Sequence, residues 1–299
     1  MTMSRKAWML LLLLSAIWGA SFLFIEIALR AMGPLTLMFF RVAIAALSLG
    51  AYALIMRLGV PRARGFWLSC FVMGLLNNAI PFSLIAYGQL TITGGMASII
   101  NANTAFFGVI VAAIFLANER LTYHRLAGVI VGVAGVVIVV GPAELFAFDV
   151  AQIGQLAVVV ATLSYAFASV WGRVRLQGYD GTITAFGTAL CASLIMALTM
   201  FYAEGVPDFK VTGDLIIVAI GLGVIGTAGA YMIYFKLLAL AGASNLMLVT
   251  IIVPIFAVTL DAFILQQWVS PRELAGFAVI AIGLAVMDGR LFARLYAKR

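Results

Sequence analysis

Long apolar runs, separated by short polar or proline- and glycine-containing connections, follow one another along most of the chain. Each run is about 20 residues long, the length that an α-helix needs to cross the hydrocarbon core of a bilayer. The pattern therefore predicts ten membrane-spanning helices and, because every connection is short, no soluble domain. The predicted spans are residues 8–28, 34–56, 66–88, 93–116, 124–141, 153–172, 182–203, 214–238, 244–265 and 273–289.

Composition supports this assignment to the membrane. Hydrophobic residues make up 65% of the chain, charged residues 10%, and the mean hydropathy is +1.17. Soluble domains carry about 25% charged residues, so the charge here is too sparse to cover a water-facing surface. The net charge of +7 does not indicate nucleic-acid binding, because the basic residues are scattered between apolar runs. Cys70 and Cys191 both lie inside such runs, which favours small core residues over a disulfide.

The lysine and arginine residues decide the predicted orientation. With the amino terminus in the cytoplasm, fourteen of the 18 basic residues face the cytoplasm, three face the opposite side and Arg41 stays within the membrane. This positive-inside bias predicts a multi-pass protein of the inner (cytoplasmic) membrane with both termini in the cytoplasm. The first apolar run resembles a signal peptide, but it is long enough to span and we expect it to remain as the first helix. The cytoplasmic residues are Arg5, Lys6, Arg57, Arg62, Arg64, Arg120, Arg125, Arg173, Arg175, Lys236, Arg290, Arg294, Lys298 and Arg299; the far-side residues are Arg30, Lys210 and Arg272.

The second half of the chain repeats the first at an offset of about 148 residues. Because each half holds five helices, an odd number, the second copy must enter the membrane from the opposite side. We expect two inverted five-helix repeats, residues 1–146 and 147–299, an architecture typical of secondary transporters. The aligned pairs are Gly94 and Gly242, Gly128 and Gly276, Gly135 and Gly283 and, at an offset of 147, Trp18 and Tyr165.

Two equivalent segments share this plan but differ in chemistry. Residues 98–123 begin with Asn101 and Asn103 and continue as what we expect to be an uninterrupted apolar helix. Residues 246–271 carry Pro254 in place of an aromatic residue and have no matching asparagines. Any polar subsite is therefore expected mainly in the first repeat.

Several stretches of the sequence resemble the EamA-like branch of the drug/metabolite transporter superfamily, which are ten-helix exporters made of two five-helix repeats. The resemblance implies export of small metabolites, with amino acids, aromatic ones included, as the implied class. One departure concerns the end of the ninth helix, where the family usually has a Gly-Glu pair and this chain has Gln266 and Gln267. The stretches are SAIWGASFLFIEIAL and FFRVAIAALSL in helices 1 and 2, FLANERLTYHRLAGVIVGVAGV at the end of the first repeat, and YFKLLALAGASNLMLVTIIVPIFAV and SPRELAGFAVIAIGLAV in the second.

Polar and aromatic residues near the middle of the predicted helices mark the expected substrate site. Polar groups are costly in lipid and should face a cavity or another helix. Amides can hydrogen-bond the carboxylate and ammonium of an amino acid, and aromatic rings offer flat apolar contact. The alternative is that the amides join helices and the rings pack in the core. The candidate substrate-binding residues are Trp18, Phe22, Asn77, Asn78, Asn101, Thr104 and Tyr165, and the candidate hinges are Pro81 and Pro254.

Three charged residues, Glu26, Arg41 and Asp261, fall in the outer half of the predicted helices. An isolated charge at that depth costs about 2.5–3.5 kcal/mol, so we expect these residues to pair with one another. The alternative for Glu26 and Asp261 is a place in the outer vestibule, in contact with a cationic group or a proton. Arg41 matches an arginine common in the second helix of the resembled family, which implies a structural role.

The motifs of other protein classes give no support to a rival function. The run GLGVIG, residues 221–226, fits a dinucleotide fingerprint but lies inside a span without a βαβ context. The sequence has no P-loop, HExxH or nucleophile elbow. We therefore expect no enzyme, cofactor, metal or nucleic-acid partner; the expected partners are a small-molecule substrate and the bilayer. The alternatives left open are a drug-like cation or nucleobase-type substrate, a membrane-embedded enzyme and a receptor. The driving force and the oligomeric state, a monomer included, are also left open.

Overall fold

In a computed structural model, which describes residues 3–119, 121–141, 150–207 and 213–289, the regular elements are all helices. Nine of them are long and apolar enough to cross a membrane. The tenth long helix, Pro271–Asp288, is not among these nine; it has 18 residues, and three of them, Arg272, Glu273 and Asp288, are charged. The predicted all-α membrane fold is confirmed. The helices are α1 (Arg5–Leu29), α2 (Pro34–Ile55), α3 (Arg64–Gly88), α4 (Gly94–Phe115), α5 (Tyr123–Val140), α6 (Val150–Arg175), α7 (Gly181–Ala203), α8 (Leu215–Gly242), α9 (Leu248–Leu265) and α10 (Pro271–Asp288).

Some of the sequence-based predictions fall outside the described residues. The boundary between residues 146 and 147 is one of them. Six basic residues used for the orientation are the others, so the placement of the two termini stays a prediction. These residues are Arg120, Lys210, Arg290, Arg294, Lys298 and Arg299. We use "outer face" for the side where α1 ends and "inner face" for the side where it begins.

Local sequence signals set several helix ends. The Ser4 hydroxyl accepts a hydrogen bond from the Ala7 amide at 3.2 Å and begins α1. The Asp180 carboxylate accepts from two amides of the first turn of α7. Ser270 and Glu273 form a reciprocal capping box at the start of α10. These side chains satisfy amide donors that the first turn of a helix leaves without intrahelical partners.

Contacts between helices follow the two repeats. α1 packs on α9 as α6 packs on α4, and α2 packs on α8 as α7 packs on α3. The equivalent helices α2 and α7 contact each other, and so do the equivalent helices α5 and α10. This arrangement is what two copies of one five-helix unit give when they are related by a two-fold axis in the membrane plane.

The contact between α5 and α10 depends on glycines. A Cβ atom added at Gly128 would lie 2.6 Å from the Gly283 carbonyl oxygen, and one at Gly276 would lie 2.8 Å from the Gly135 carbonyl oxygen. Since Gly128 is equivalent to Gly276 and Gly135 to Gly283, these are the same contact seen from each repeat. Small residues allow two helix backbones to approach this closely. The glycine pattern of the sequence therefore marks a helix contact that is symmetric within one chain.

Four helices depart from regular α-helical bonding inside their spans. α3 has a π-helical segment at Leu75–Ala79, and α8 has one at Gly221–Gly229. These two segments occupy equivalent positions, because they overlap when the chain is shifted by 148 residues. A third, Asp261–Leu265, ends α9. α4 is broken between its pieces Gly94–Asn101 and Thr104–Phe115. The span expected to continue without interruption from Asn101 thus consists of two helical pieces. At the break, the Asn103 and Thr104 side chains donate to the backbone carbonyls of Ile100 and Asn101, and such bonds compete with the backbone hydrogen bonds of a regular helix.

Candidate functional site

The π-helical segment of α3 places two amides against a tyrosine of the second repeat. The Asn77 Nδ2 atom donates to the Tyr231 hydroxyl at 2.8 Å, and the Asn78 Nδ2 atom lies 3.3 Å from the same oxygen. Asn78 is fully buried. Counted along their helices, all three residues lie near the middle of the bundle. Single turns of π-helix are frequent at functional sites, and this one joins the two repeats where a midplane site is expected.

Arg41 lies beside this group. Its Nε atom donates to the Thr227 hydroxyl at 3.0 Å, and its guanidinium carbon lies 4.0 Å from the centre of the Phe82 ring. The hydroxyl groups of Tyr165 and Tyr231 are close enough to interact with its charge. The expected pairing of Arg41 with Glu26 or Asp261 is wrong for the described chain, because those carboxylates bind the start of α4 instead.

Aromatic rings from both repeats complete the cluster. The Trp18 indole lies 6.1 Å from the Tyr234 ring, centre to centre. Tyr165 packs against both of the two largest groups of buried apolar residues. Phe22 is instead a core residue, and its carbonyl accepts a hydrogen bond from Gln89 at 3.0 Å. We use "midplane cluster" for Trp18, Arg41, Asn77, Asn78, Tyr165, Tyr231 and Tyr234.

The break in α4 presents polar backbone and side-chain atoms inside the bundle. The Thr104 hydroxyl donates to the Asn101 carbonyl at 2.8 Å, and the side-chain Nδ2 atom of Asn103 donates to the Ile100 carbonyl at 2.6 Å. The Asn101 Oδ1 atom is buried and has no hydrogen-bond partner among the described residues. A buried acceptor without a partner is costly, so this oxygen is suited to a donor that comes from a ligand.

The two candidate hinges lie at different kinds of helix irregularity. Pro81 lies two residues after the end of the π-helical segment of α3. Pro254 lies inside α9, where α1 approaches so closely that a Cβ atom on Gly19 would lie 3.0 Å from the Val253 carbonyl oxygen. Bending of α9 at Pro254 would therefore move its contact with α1. The hinge role of both prolines stays a prediction.

At the outer face, carboxylates accept hydrogen bonds from backbone amides at the beginnings of helices. Glu26 accepts from the Gly94 amide at 3.0 Å, and Asp261 accepts from the next amide, that of Gly95. Glu204 accepts from the amides of Leu35 and Thr36 at 2.8 and 2.9 Å and so holds the start of α2. The amino-terminal end of a helix favours negative charge, so Glu26 and Asp261 are held by backbone amides, where mutual charge pairing was expected.

Equivalent positions of the two repeats also make one contact at each face. At the outer face, the Gln267 Nε2 atom donates to the Glu26 carboxylate at 2.6 Å. At the inner face, Arg173 donates to the Glu119 carboxylate at 2.6 Å. Glu119 and Gln267 are 148 residues apart, and Glu26 and Arg173 are 147 apart, so the repeat relates these two contacts. We name them the outer latch (Glu26 and Gln267) and the inner latch (Glu119 and Arg173).

The inner latch has an additional cation. Arg125 donates to the second oxygen of Glu119 at 2.8 Å, so two arginines share one carboxylate. These hydrogen bonds from Arg125 and Arg173 lower the pKa of Glu119 below its usual value. The carboxylate therefore stays charged throughout the neutral range and keeps both ion pairs.

Two cluster members, Tyr231 and Tyr234, were not among the sequence-based candidates. Both lie in the apolar run of α8, three residues apart and hence on one helix face. That spacing was the available signal, but a tyrosine within a long apolar run looks like an ordinary core residue. Thr227 was missed for the same reason.

Comparison with known proteins gives the family context. Residues 5–141 and 152–287 each match the EamA-like transporter family. The chain is 25% identical to an uncharacterized transporter of Archaeoglobus fulgidus over 94% of this chain and 98% of that protein. It is 24% identical, over 95% of both chains, to a probable amino-acid metabolite efflux pump of Escherichia coli (strain K12). It is 26% identical, over 68% of both, to a probable terminal-alkyne amino-acid exporter of Streptantibioticus cattleyicolor. One solved crystal structure shares the fold, with a TM-score of 0.69 at 19% identity over 95% of this chain and 98% of that one.

Proposed function

The chain belongs to the EamA-like transporter family and is a multi-pass membrane transporter, and on this premise we propose that it exports amino acids, aromatic ones included, by alternating access. Its family and its named relatives are transporters, which confirms that it is not an enzyme. Two of the relatives are named for the efflux or export of amino acids or their metabolites. In this proposal the substrate binds at the midplane cluster.

The chemistry of the cluster supports this substrate class. Asn77, Asn78 and the hydroxyl of Tyr231 are polar groups that both donate and accept hydrogen bonds. Trp18 and Tyr165 add flat apolar surface from equivalent positions of the two repeats. An amino acid with an aromatic side chain needs both kinds of group, polar atoms for its backbone moiety and ring surface for its side chain.

The observation that carries the alternating-access proposal is the pair of symmetry-related latches. Each latch joins two repeats: the loop that follows the fourth helix of one repeat bonds the first helix of the other repeat. Transport by alternating access requires a contact at each face that can break while the other holds. In the structure both latches are formed, so both faces are held at these points.

The strength of the latches suits a reversible cycle. The Arg173 side chain is 57% exposed, and exposed ion pairs are worth about 0.2–1 kcal/mol. The outer latch is a single hydrogen bond between an amide and a carboxylate. Neither contact is strong enough to lock its face permanently. A substrate with a few kcal/mol of differential affinity for one state can shift such an equilibrium.

Uptake into proteoliposomes that contain only this protein tests the function. Radiolabelled L-phenylalanine, L-tryptophan and L-leucine are offered with and without a pH gradient, and empty liposomes serve as the control. We expect saturable uptake of at least one of them, and faster uptake of the labelled compound when the vesicles are preloaded with the unlabelled one. Uptake equal to that of empty liposomes for all three would contradict the amino-acid assignment.

A further inference from the structure

Arg41 is a buried cation without a carboxylate partner in the described part of the chain. The residue is 6% exposed and lies inside α2. Its Nε atom bonds Thr227, whereas its two terminal nitrogens have no hydrogen bond or ion pair to any described residue. Two tyrosines that interact with its charge, Tyr165 and Tyr231, carry hydroxyls that are uncharged at neutral pH. A lone charge inside a membrane protein is costly and marks a functional site.

The carboxylates that might neutralise Arg41 are used elsewhere. Glu26 and Asp261 bind the first two amides of α4, and Glu26 also bonds Gln267. Glu204 binds the start of α2 through two amides and the Thr36 hydroxyl. Arg41 therefore keeps a full positive charge with no internal counter-charge from these three residues.

The contacts of Arg41 hold its guanidinium group in a fixed position. Phe82 covers one face of the group at 4.0 Å, and Thr227 fixes the Nε atom at 3.0 Å. A guanidinium group binds a carboxylate in its own plane through two parallel hydrogen bonds. Thr227 occupies only the Nε atom, so the two terminal nitrogens, which bond no described residue, remain available to a carboxylate.

We propose that Arg41 binds the carboxylate of the transported substrate, within the midplane cluster and beside Tyr165 and Tyr231. The inference rests on the proposed function and narrows it: the substrate must carry a carboxylate, and cationic compounds without one are excluded. It also assigns Arg41 a role in binding, where the sequence resemblance implied a structural one. The substrate supplies the counter-charge that the chain lacks.

Binding of matched compounds by the purified protein tests this role. L-Phenylalanine and 3-phenylpropionate carry a carboxylate, whereas L-phenylalaninamide and 2-phenylethylamine share the ring and lack it; L-leucine and L-leucinamide form a second pair. Loss of a bidentate charged contact should weaken binding by about tenfold or more. We expect the acids to bind the wild type, and the amides and the amine to bind at least that much more weakly.

Variants at position 41 connect this preference to the arginine. Arg41→Met should lose the preference for acids, and Arg41→Lys should retain part of it because it keeps the charge without the planar fork. Arg62→Met, at an exposed position between α2 and α3, is the matched control and should behave as the wild type. If Arg41→Met does not fold, as judged by gel filtration and thermal unfolding, the comparison of acids with amides in the wild type and in Arg41→Lys still tests the role of Arg41.

The possible results separate the two proposals. Equal binding of acids and amides by the wild type, a preserved preference in Arg41→Met, or no binding of any acid would overturn the role of Arg41. Transport of L-phenylalaninamide as fast as L-phenylalanine would overturn it as well, while leaving the transporter assignment intact. Binding of the acids with loss in Arg41→Met, but without transport of any amino acid, would support Arg41 and contradict the proposed function.

Discussion

Glu119 and Gln267 stand at equivalent positions of the two repeats, and each bonds the first helix of the opposite repeat. Glu119 holds Arg173 of α6 at the inner face, and Gln267 holds Glu26 of α1 at the outer face, both at 2.6 Å. The geometry is shared, but one contact is an ion pair and the other joins an amide to a carboxylate. The two faces of the transporter are thus held by the same contact with different chemistry.

Neutralising the inner latch should open the inner face. Glu119→Gln removes the charge that binds Arg125 and Arg173. Spin labels at positions 123 and 177, both exposed, report the separation of this face once Cys70 and Cys191 are replaced by alanine. We expect a longer-distance population in the variant, and Arg173→Gln should reproduce it. Arg175→Gln is the control, and a longer distance there would show that the effect is not specific to the latch.

The inner latch should respond to acid but not to changes near neutral pH. Because the pKa of Glu119 is lowered by Arg125 and Arg173, its contribution is fully present above the ordinary carboxyl value of about 4.3. The contribution is lost as the pH falls through the lowered value. The same spin-label distance should therefore stay constant from about pH 5 to 8 and increase below about pH 4, and Glu119→Gln should remove this response. A transition centred near pH 6 or 7 would rule out Glu119 as its cause.

Exchanging the partners of the outer latch should first break and then restore it. Gln267→Glu places a second carboxylate against Glu26, and like charges in contact repel. Labels at positions 31 and 268 should then report an open outer face. Adding Glu26→Gln supplies a new amide donor and should return the distance toward that of the wild type. The latch is wrong as described if the double variant is as open as Gln267→Glu alone.

Stability should depend strongly on the glycines between α5 and α10. Gly128→Ala places a Cβ atom 2.6 Å from the Gly283 carbonyl oxygen and from the Met287 backbone nitrogen. Such overpacking costs about 1–3 kcal/mol, which thermal unfolding in detergent can measure. Gly65→Ala, a helical position with open space around it, is the control and should be neutral or stabilising by up to about 1 kcal/mol. An equal effect of both substitutions would contradict the close contact.

Sequence alone gives the helices and the repeat because both depend on regular patterns. The lengths of the apolar runs follow from the thickness of the bilayer, and aligned glycines such as Gly128 and Gly276 record a backbone contact that no larger residue allows. The confirmed fold and family follow from these signals. They need no knowledge of which helix lies beside which.

The partners of the membrane charges could not be predicted in the same way. Glu26 and Asp261 were expected to pair with Arg41, but they bind the backbone amides of Gly94 and Gly95. Every residue except proline carries such an amide, and no sequence pattern marks it. The cation within ion-pair distance of Glu26 is Arg30, at 4.0 Å and one helical turn away. Arg41 likewise meets Phe82 and Thr227 only because α2 packs on α3 and α8. Such pairings depend on the arrangement of all ten helices.

Reversible cross-linking of the latches during transport tests the account most directly. Cysteines replace Glu119 and Arg173 in one variant and Glu26 and Gln267 in another, both without Cys70 and Cys191, and a reducible bifunctional thiol reagent joins each pair in proteoliposomes. If each face must open in turn, joining either pair stops amino-acid uptake and reduction restores it. Uptake that continues at the uncross-linked rate with either latch joined would contradict alternating access through these two contacts.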